Sequence, residues 1–177
     1  MKEFLAGETY NKSYAAIPVT ESSLFKWVQS INGNKKFYHI TILLFGKISG
    51  SRLAKVNDTI SNLPIDNNGV TIIPEKLGFI GERDGLFVLR IKKTDQLENI
   101  REILEKTFPE NNGLNHDFLP HITIKRAKRG EFNKHDRSKL LDIYDRSVYL
   151  EPFEAKTIGM YYRTEEGATA LLCAKKI

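Results

Sequence analysis

Apolar residues recur along the chain at two spacings, and each spacing predicts a different element. Spacings of three and four residues predict amphipathic helices, while short runs of β-branched and aromatic residues predict strands. Three helices are predicted from the apolar sets Leu24, Phe25, Val28 and Ile31; Leu53, Val56, Ile60 and Leu63; and Leu97, Ile100, Ile103 and Leu104. A fourth, more highly charged helix is predicted over residues 131–144. Thr20 is the expected N-cap of the first helix, and Gly33 is expected to end it.

Strands and helices alternate through the whole chain. The predicted strands cover residues 14–19, 37–45, 70–73, 76–80, 86–91, 119–125, 155–163 and 168–175, with a turn over 46–50 and an interruption at Pro74. This order predicts an α+β fold in which antiparallel or mixed sheets have helices packed outside. We expect residues 1–177 to form a single domain, with residues 1–13 as an extension of unknown role before the first strand.

Composition narrows the classes of protein to which the chain can belong. With 41% hydrophobic and 28% charged residues it is predicted to be globular rather than disordered. A single cysteine cannot form an internal disulfide, which fits a reducing, cytoplasmic compartment. No apolar run approaches a membrane span, so we expect no membrane partner. We also expect the protein to be a monomer. The net charge of +5 permits an anionic substrate such as RNA without requiring one.

The tetrapeptide His-Ile-Thr-Ile occurs twice, beginning at His39 and at His121. Residues two apart on a strand share a face, so His39 and Thr41 are predicted to point one way and their isoleucine neighbours the other. The same holds for His121 and Thr123. Two such strands facing one another would form a groove that contains two imidazoles and two hydroxyls.

That set of groups suits the hydrolysis of a phosphodiester. One histidine can take a proton from the attacking oxygen and the other can protonate the leaving oxygen, since the ordinary pKa of histidine lies near neutrality. Threonine hydroxyls can hold non-bridging phosphate oxygens. This chemistry needs no metal or cofactor. Histidines in strands can also be merely structural, with threonine present for its β propensity, but the match between the two tetrapeptides favours the catalytic interpretation.

With its paired motifs, the chain resembles the two-histidine (2H) phosphoesterases, in the branch of 2′,5′ RNA ligases and RNA 2′,3′-cyclic phosphodiesterases. The family's two His-x-Thr-x motifs match at His39 and His121, and Gly46 and Arg126 match residues usual in that branch. The resemblance runs from about Tyr14 to the end of the chain. It implies a bilobed fold in which each lobe contributes one motif to a central cleft.

The resemblance also implies an activity, namely opening a 2′,3′-cyclic phosphate at an RNA 3′ end to leave a 2′-phosphate. With a 5′ hydroxyl in place of water, the same chemistry joins RNA through a 2′,5′ linkage. By similarity, His39 is the acid that protonates the departing 3′ oxygen and His121 is the base that activates water. Leu43 stands where the family commonly has lysine. Two alternatives therefore stay open: action on 2′,5′-oligoadenylates or cyclic nucleotides, and a non-catalytic module that binds RNA ends.

Two cations beside the second motif are candidates for binding the substrate. Strict alternation predicts that Lys125 lies on the motif face and that Arg126 reaches it only through a bulge or a strand end. Lys47 is a further candidate to replace the missing lysine. The basic run over residues 125–129 would suit an RNA backbone.

The remaining histidines and two tyrosines near the end of the chain are weaker candidates for functional residues. His116 and His135 are expected to be solvated. Tyr161 and Tyr162 are expected in the core of the last hairpin, with stacking on a nucleobase as the alternative.

Overall fold

The computed structural model describes residues 9–32, 37–65, 68–80, 85–109, 117–126, 134–145, 151–166 and 168–176. Four helices occur in these ranges, and they are α1 (Ser22–Asn32), α2 (Gly50–Ser61), α3 (Asp95–Thr107) and α4 (Lys134–Tyr144). The nine strands are β1 (Thr9–Pro18), β2 (His39–Ser49), β3 (Val70–Ile72), β4 (Pro74–Ile80), β5 (Leu86–Ile91), β6 (His121–Arg126), β7 (Phe153–Ala155), β8 (Thr157–Arg163) and β9 (Thr169–Lys176).

Seven of the strands form one antiparallel sheet in the order β4-β5-β6-β2-β1-β8-β9. The short strands β3 and β7 form a second, two-stranded sheet. The predicted α+β class is therefore confirmed. The two strands that begin with His-Ile-Thr-Ile, β2 and β6, are immediate neighbours at the centre of the large sheet.

Strands β2 and β6 pair along a short seam, in which Ile40 lies opposite Ile122. On one side of this seam lie β4, β5 and β6, and on the other lie β2, β1, β8 and β9. One motif strand lies on each side of this seam. The motif strands lie side by side in one sheet, however, and do not face one another across a groove as was expected from the sequence.

The isoleucines of both motifs face the hydrophobic core. Ile40, Ile42, Ile122 and Ile124 are at most 1% exposed. They belong to the same buried cluster as residues of α1, α2 and α3 such as Leu24, Leu53 and Leu97, which are the ones their apolar spacing predicted. The motif residues between the isoleucines therefore point to the opposite face of the sheet, called the motif face below.

The start of the first strand and the end of the second differ from the prediction. β1 begins at Thr9 rather than Tyr14, and β2 continues through the predicted turn to Ser49. Both strands contain left-handed residues where they pair, Lys12 at φ 51° and Gly46 at φ 67°. The register shifts at these residues, which is the signature of β-bulges, and the bulges let pairing continue where a glycine suggested a turn.

The first helix is capped by a different residue from the one predicted. The Glu21 carboxylate accepts hydrogen bonds from the main-chain nitrogens of Ser23, at 2.9 Å, and Leu24. An anionic group that satisfies these nitrogens and lies at the positive end of the helix dipole is a stronger cap than Thr20. Gly33, the expected stop, and residues 131–133, the predicted start of the fourth helix, lie outside the described residues.

Candidate active site

The two motifs meet on the motif face of the sheet. Because Ile40 pairs with Ile122 in an antiparallel register, His39 lies beside Thr123 and Thr41 beside His121. Directly opposed Cβ atoms are about 5 Å apart in such a pair, and diagonal neighbours are about 7–8 Å apart. His39 and His121 are diagonal neighbours of this kind. This spacing leaves room for one tetrahedral phosphate between the two imidazoles.

His121 is fixed in one tautomer by its own main chain. Its Nδ1 lies 2.7 Å from the carbonyl oxygen of Leu119. A carbonyl oxygen can only accept, so Nδ1 carries the hydrogen and Nε2 presents its lone pair to the motif face. Burial lowers the pKa of His121 below its ordinary value, against the raising effect of the Leu119 bond, and the charge of Arg90 lowers it further. A neutral imidazole with a free Nε2 is suited to take a proton.

Arg90 is a residue of this site that had not been singled out from the sequence. It lies on β5, paired with His121 of β6, and therefore shares the motif face. Its side chain runs over Gly78 of β4, where a Cβ atom, if glycine had one, would come within 3.3 Å of the Arg90 Nε. The available signal was an arginine that alternates with the buried Leu89 and Ile91 in a central strand. Such a cation faces away from the core on a strand that has neighbours on both sides.

His39 is held by aromatic rings. The ring of Tyr14 stacks on it at a centroid distance of 4.9 Å, and the ring of Phe37 at 5.2 Å. Tyr161 packs against both of these rings, at 5.9 Å from Tyr14 and 4.9 Å from Phe37. Packed rings of this kind restrict the imidazole to one orientation.

The rings around His39 come from three separate parts of the chain. Tyr14 lies on β1, Tyr161 on β8, and Phe37 just before β2. Burial raises the pKa of Tyr14 and raises that of Tyr161 to about 12, so both phenols stay protonated near neutral pH. Tyr161 was expected in the hairpin core, and it is only 5% exposed, but its ring belongs to the cluster beside His39. Tyr14 and Phe37 had not been singled out.

A bulge follows the threonine in both motifs. On β2, Thr41 pairs with Ala16 and Leu43 pairs with the next residue, Ala15, so Ile42 is the extra residue. As a result Leu43 turns into the core, where it is fully buried, and Leu44 takes the motif face with 44% of its surface exposed. The lysine common in the family is therefore replaced here by a core residue.

The second bulge reverses the prediction for the two cations after Thr123. Thr123 pairs with Val88 and Lys125 pairs with Phe87, so Ile124 is the extra residue. Paired residues share a face, and Phe87 is buried in the core, so Lys125 turns toward the core side. Arg126, paired with Leu86, returns to the motif face. The register thus places Arg126 on the motif face and Lys125 on the core face.

The remaining candidates from the sequence lie either away from the two histidines or outside the residues that the structure describes. His116, the side chain of His135 and residues 127–129 of the basic run are outside the described residues. Lys47 lies in a separate pocket at the far end of β2. Across the described ranges, no three side chains of the metal-ligating types gather into a cluster. None of the described helices is long and apolar enough to cross a membrane.

Comparison with known proteins identifies the fold. Neither models of protein families nor curated proteins match the sequence. Among solved structures, Escherichia coli LigT in apo form has 14% identity and a TM-score of 0.63, over 96% of this chain and 98% of that one. TT0787 of Thermus thermophilus has 14% identity and a TM-score of 0.61, over 93% and 97%. A structure described as a phosphoesterase has 15% identity and a TM-score of 0.60, over 94% and 98%. The chain therefore has the LigT-like fold, and the resemblance found from its two motifs is confirmed in the fold.

Proposed function

We propose that the protein is a phosphodiesterase that opens 2′,3′-cyclic phosphate ends of RNA to leave a 2′-phosphate. The observation that carries the proposal is the pairing of β2 with β6, which sets two imidazoles and two threonine hydroxyls side by side on one face. The LigT-like fold supports a phosphoester substrate. One of the LigT structures of this fold is a complex with 3′-AMP, which is consistent with a nucleotide ligand for this chain.

In the proposed reaction, His121 is the base and His39 is the acid. The Nε2 of His121 takes a proton from water while the water oxygen attacks phosphorus. The bond from phosphorus to the 3′ oxygen breaks, and His39 donates a proton to that oxygen. The product keeps the phosphate on the 2′ oxygen. Exchange of one proton with solvent at each imidazole then restores both groups.

Hydroxyl and guanidinium groups hold the phosphate during this step. Thr41 and Thr123 would donate hydrogen bonds to non-bridging oxygens, each beside the imidazole of the opposite strand. Arg126 and Arg90 would offset the charge that develops on those oxygens, since a guanidinium binds phosphate oxygens in a bidentate manner. Ligation through a 2′,5′ linkage is the same step with a ribose 5′ hydroxyl in place of water: the 5′ oxygen attacks phosphorus, gives its proton to His121, and the bond to the 3′ oxygen breaks.

The test is to incubate the purified protein with an oligonucleotide ending in a 2′,3′-cyclic phosphate and to identify the product by mass and by linkage analysis. We expect a 2′-phosphate, with no change on adding EDTA. His39→Ala and His121→Ala should each lower kcat/KM by about a hundredfold or more, with the urea midpoint retained. Wild-type turnover in either variant would refute the assignment.

The threonines offer a matched comparison. Thr41→Val and Thr123→Val should each lower kcat by about tenfold, the typical effect of losing one hydrogen bond to a charged group. Thr59→Val makes the same change on helix α2 and should leave kcat unaltered. The same assay with a 2′,5′-oligoadenylate and a cyclic dinucleotide tests the alternative substrates. Tight binding of RNA ends without any product would identify a binding module instead.

A further inference from the structure

A basic pocket lies on the motif face at the opposite end of β2 from the histidines. It has a volume of about 540 Å³ and is lined by Lys12, Lys47 and Arg163, together with Gly46 and the acidic Glu165. The three cations come from β1, β2 and β8, strands that are adjacent in the sheet. With three positive charges and one negative charge, the pocket is suited to bind an anion.

Backbone conformation at this pocket is unusual. Lys12 is the one non-glycine residue in the described ranges with a left-handed φ, and Gly46 on the neighbouring strand is left-handed as well. The buried Ser13 donates to the carbonyl of Tyr10 at 3.1 Å and so bridges the bulge that contains Lys12. These paired bulges interrupt regular pairing between β1 and β2 at the place where the pocket opens. Backbone strain of this kind occurs preferentially at ligand sites.

The pocket and the histidines belong to one continuous surface. Arg163 pairs with Thr169, whose hydroxyl lies 3.4 Å from that of Tyr14, and the Tyr14 ring stacks on His39. Thr41 and Lys47 are six residues apart on the bulged strand β2, which corresponds to about 15–20 Å at the rise of an extended strand. The distance between the histidine site and the basic pocket is therefore longer than one nucleotide.

Apolar surface separates the two polar sites. Leu44, paired with Tyr14, is 44% exposed, and Leu171, paired with Tyr161, is 54% exposed. Exposed apolar side chains next to aromatic rings suit the flat faces of nucleobases. The motif face therefore carries acid–base groups, then an apolar stretch, then a cluster of cations.

We propose that Lys12, Lys47 and Arg163 bind the phosphates of the RNA strand on the 5′ side of the end that is held by the two histidines. The inference rests on the proposed function, and it makes the enzyme favour oligonucleotides over mononucleotides. The bases between the two sites lie on the surface formed by Leu44 and Leu171. Glu165 opposes this binding by its charge.

The test compares substrates of different length in the full-length protein. We expect kcat/KM to rise from a 2′,3′-cyclic mononucleotide through di-, tri- and hexanucleotides ending in the same group. In the triple variant Lys12→Gln, Lys47→Gln, Arg163→Gln this rise should disappear. Turnover of the cyclic mononucleotide should stay within about twofold of wild type, because charge changes away from a site have small effects.

Salt dependence and charge sign give independent readouts. Each cation that neutralises a phosphate on a single strand contributes about 0.7 to the salt slope of binding, so the triple variant should lose about two from the slope for the hexanucleotide. Glu165→Gln should tighten hexanucleotide binding, and Lys26→Gln on α1, with the same loss of charge as each lysine change, should alter nothing. The double variant Lys12→Gln, Lys47→Gln retains Arg163 and should lose about two thirds of the same effect.

Failure of this subsite can be told apart from failure of the proposed function. If the wild type hydrolyses cyclic ends but the triple variant shows the same length and salt dependence, the subsite is refuted and the activity stands. If the wild type hydrolyses nothing, binding of a fluorescein-labelled hexanucleotide decides on the subsite alone. Equal affinity of wild type and triple variant would then overturn it.

Discussion

The Nδ1 of His121 donates its hydrogen to the carbonyl oxygen of Leu119, two residues earlier in the chain, at 2.7 Å. The acceptor belongs to the main chain just before β6, so the tautomer of His121 is set by the local path of the backbone. The other nitrogen, Nε2, is thereby available on the face where His39 and Thr41 also lie. In the proposed reaction this nitrogen must be unprotonated when the substrate arrives.

The pH dependence of kcat/KM follows from this requirement. Burial and the charge of Arg90 lower the pKa of His121 below its ordinary 6.5, although the Leu119 bond acts in the other direction. The acidic limb of kcat/KM should therefore lie below pH 6.5. Arg90→Gln removes a positive neighbour that disfavours the imidazolium, so the pKa should rise and the limb should move to higher pH.

Arg90→Lys is the matched control for this prediction. It retains the positive charge, and the limb should stay near its wild-type position even where kcat/KM falls because the guanidinium is lost. The measurement is kcat/KM for a cyclic mononucleotide between pH 4.5 and 8 in both variants. An identical limb in wild type and Arg90→Gln would show that Arg90 does not act on the base.

The local pattern of the sequence was sufficient to predict the motif strands, but it was not sufficient to predict the environment of each imidazole. Alternation correctly separated His39 and Thr41 from the buried Ile40 and Ile42, because the period of a strand is a local property. Pairing between β2 and β6 is a contact between distant segments and leaves no local signal. The same holds for Arg90 and Tyr14, which reach the histidines because β5 pairs with β6 and β1 pairs with β2. Phe37 is different: it lies two residues before His39 in the predicted strand, so alternation alone would have assigned it to the same face.

The two bulges are a second feature that the local sequence pattern could not predict. Nothing in the residues after Thr41 or Thr123 distinguishes a regular strand from one with an extra residue. The bulge exists only relative to the partner strand, where two residues oppose one. One such residue inverts the face of all residues that follow it. This is why strict alternation predicted the wrong face for Lys125.

The corrected faces of Lys125 and Arg126 make a direct prediction. Arg126→Gln should lower kcat/KM by about tenfold to a hundredfold, the usual effect of losing a hydrogen bond to a charged group. Lys125→Gln removes the same charge one residue earlier and should leave kcat/KM near wild type. Steady-state kinetics on the cyclic mononucleotide compares the two. A larger loss in Lys125→Gln than in Arg126→Gln would contradict the assignment of faces.

The rings that stack on His39 hold its imidazole in place, so Tyr14 and Phe37 are positioning residues. Tyr14→Leu removes one of the two stacked rings and should lower kcat by about twofold to tenfold, in line with the energy of an aromatic pair. KM should change little because the Tyr14 ring contacts the imidazole of His39 rather than the proposed substrate. Tyr14→Phe retains the stack and loses only the long contact of the hydroxyl with Thr169, so it should restore kcat.

The readout for Tyr14 separates positioning from a general loss of stability. Kinetics is measured well below the unfolding temperature of each variant, and the urea midpoint is measured alongside. A fall in kcat that Phe rescues identifies the ring as the functional part. Equal kcat in Tyr14→Leu and wild type would show that the orientation of His39 does not depend on this ring.

Two glycines of the large sheet should respond differently to alanine, because different atoms surround them. A Cβ at Gly159 would lie 2.8 Å from the carbonyl oxygen of Cys173 in the adjacent strand β9, and a main-chain atom in a paired strand cannot easily shift. Gly159→Ala should therefore lower the free energy of unfolding by about 1–3 kcal/mol. Urea unfolding measures this loss, and an unchanged midpoint would show that β8 and β9 can separate locally at no cost.

The second glycine, Gly78, tests the position of Arg90. A Cβ at Gly78 would meet the Nε of Arg90 at 3.3 Å, and a flexible side chain can move away. Gly78→Ala should retain stability in urea unfolding, since the Arg90 side chain needs to shift by only a few tenths of an ångström. Gly78 lies on β4, and β5 lies between β4 and β6, so the methyl group pushes Arg90 toward His121 rather than away from it. The acidic limb of kcat/KM should therefore stay at or slightly below its wild-type pH, unlike in Arg90→Gln. A limb at or below its wild-type pH, with no change in the urea midpoint, would agree with an Arg90 that stays beside the base. A limb that moves to higher pH would contradict this, because it would show that the added methyl group drives Arg90 away from His121.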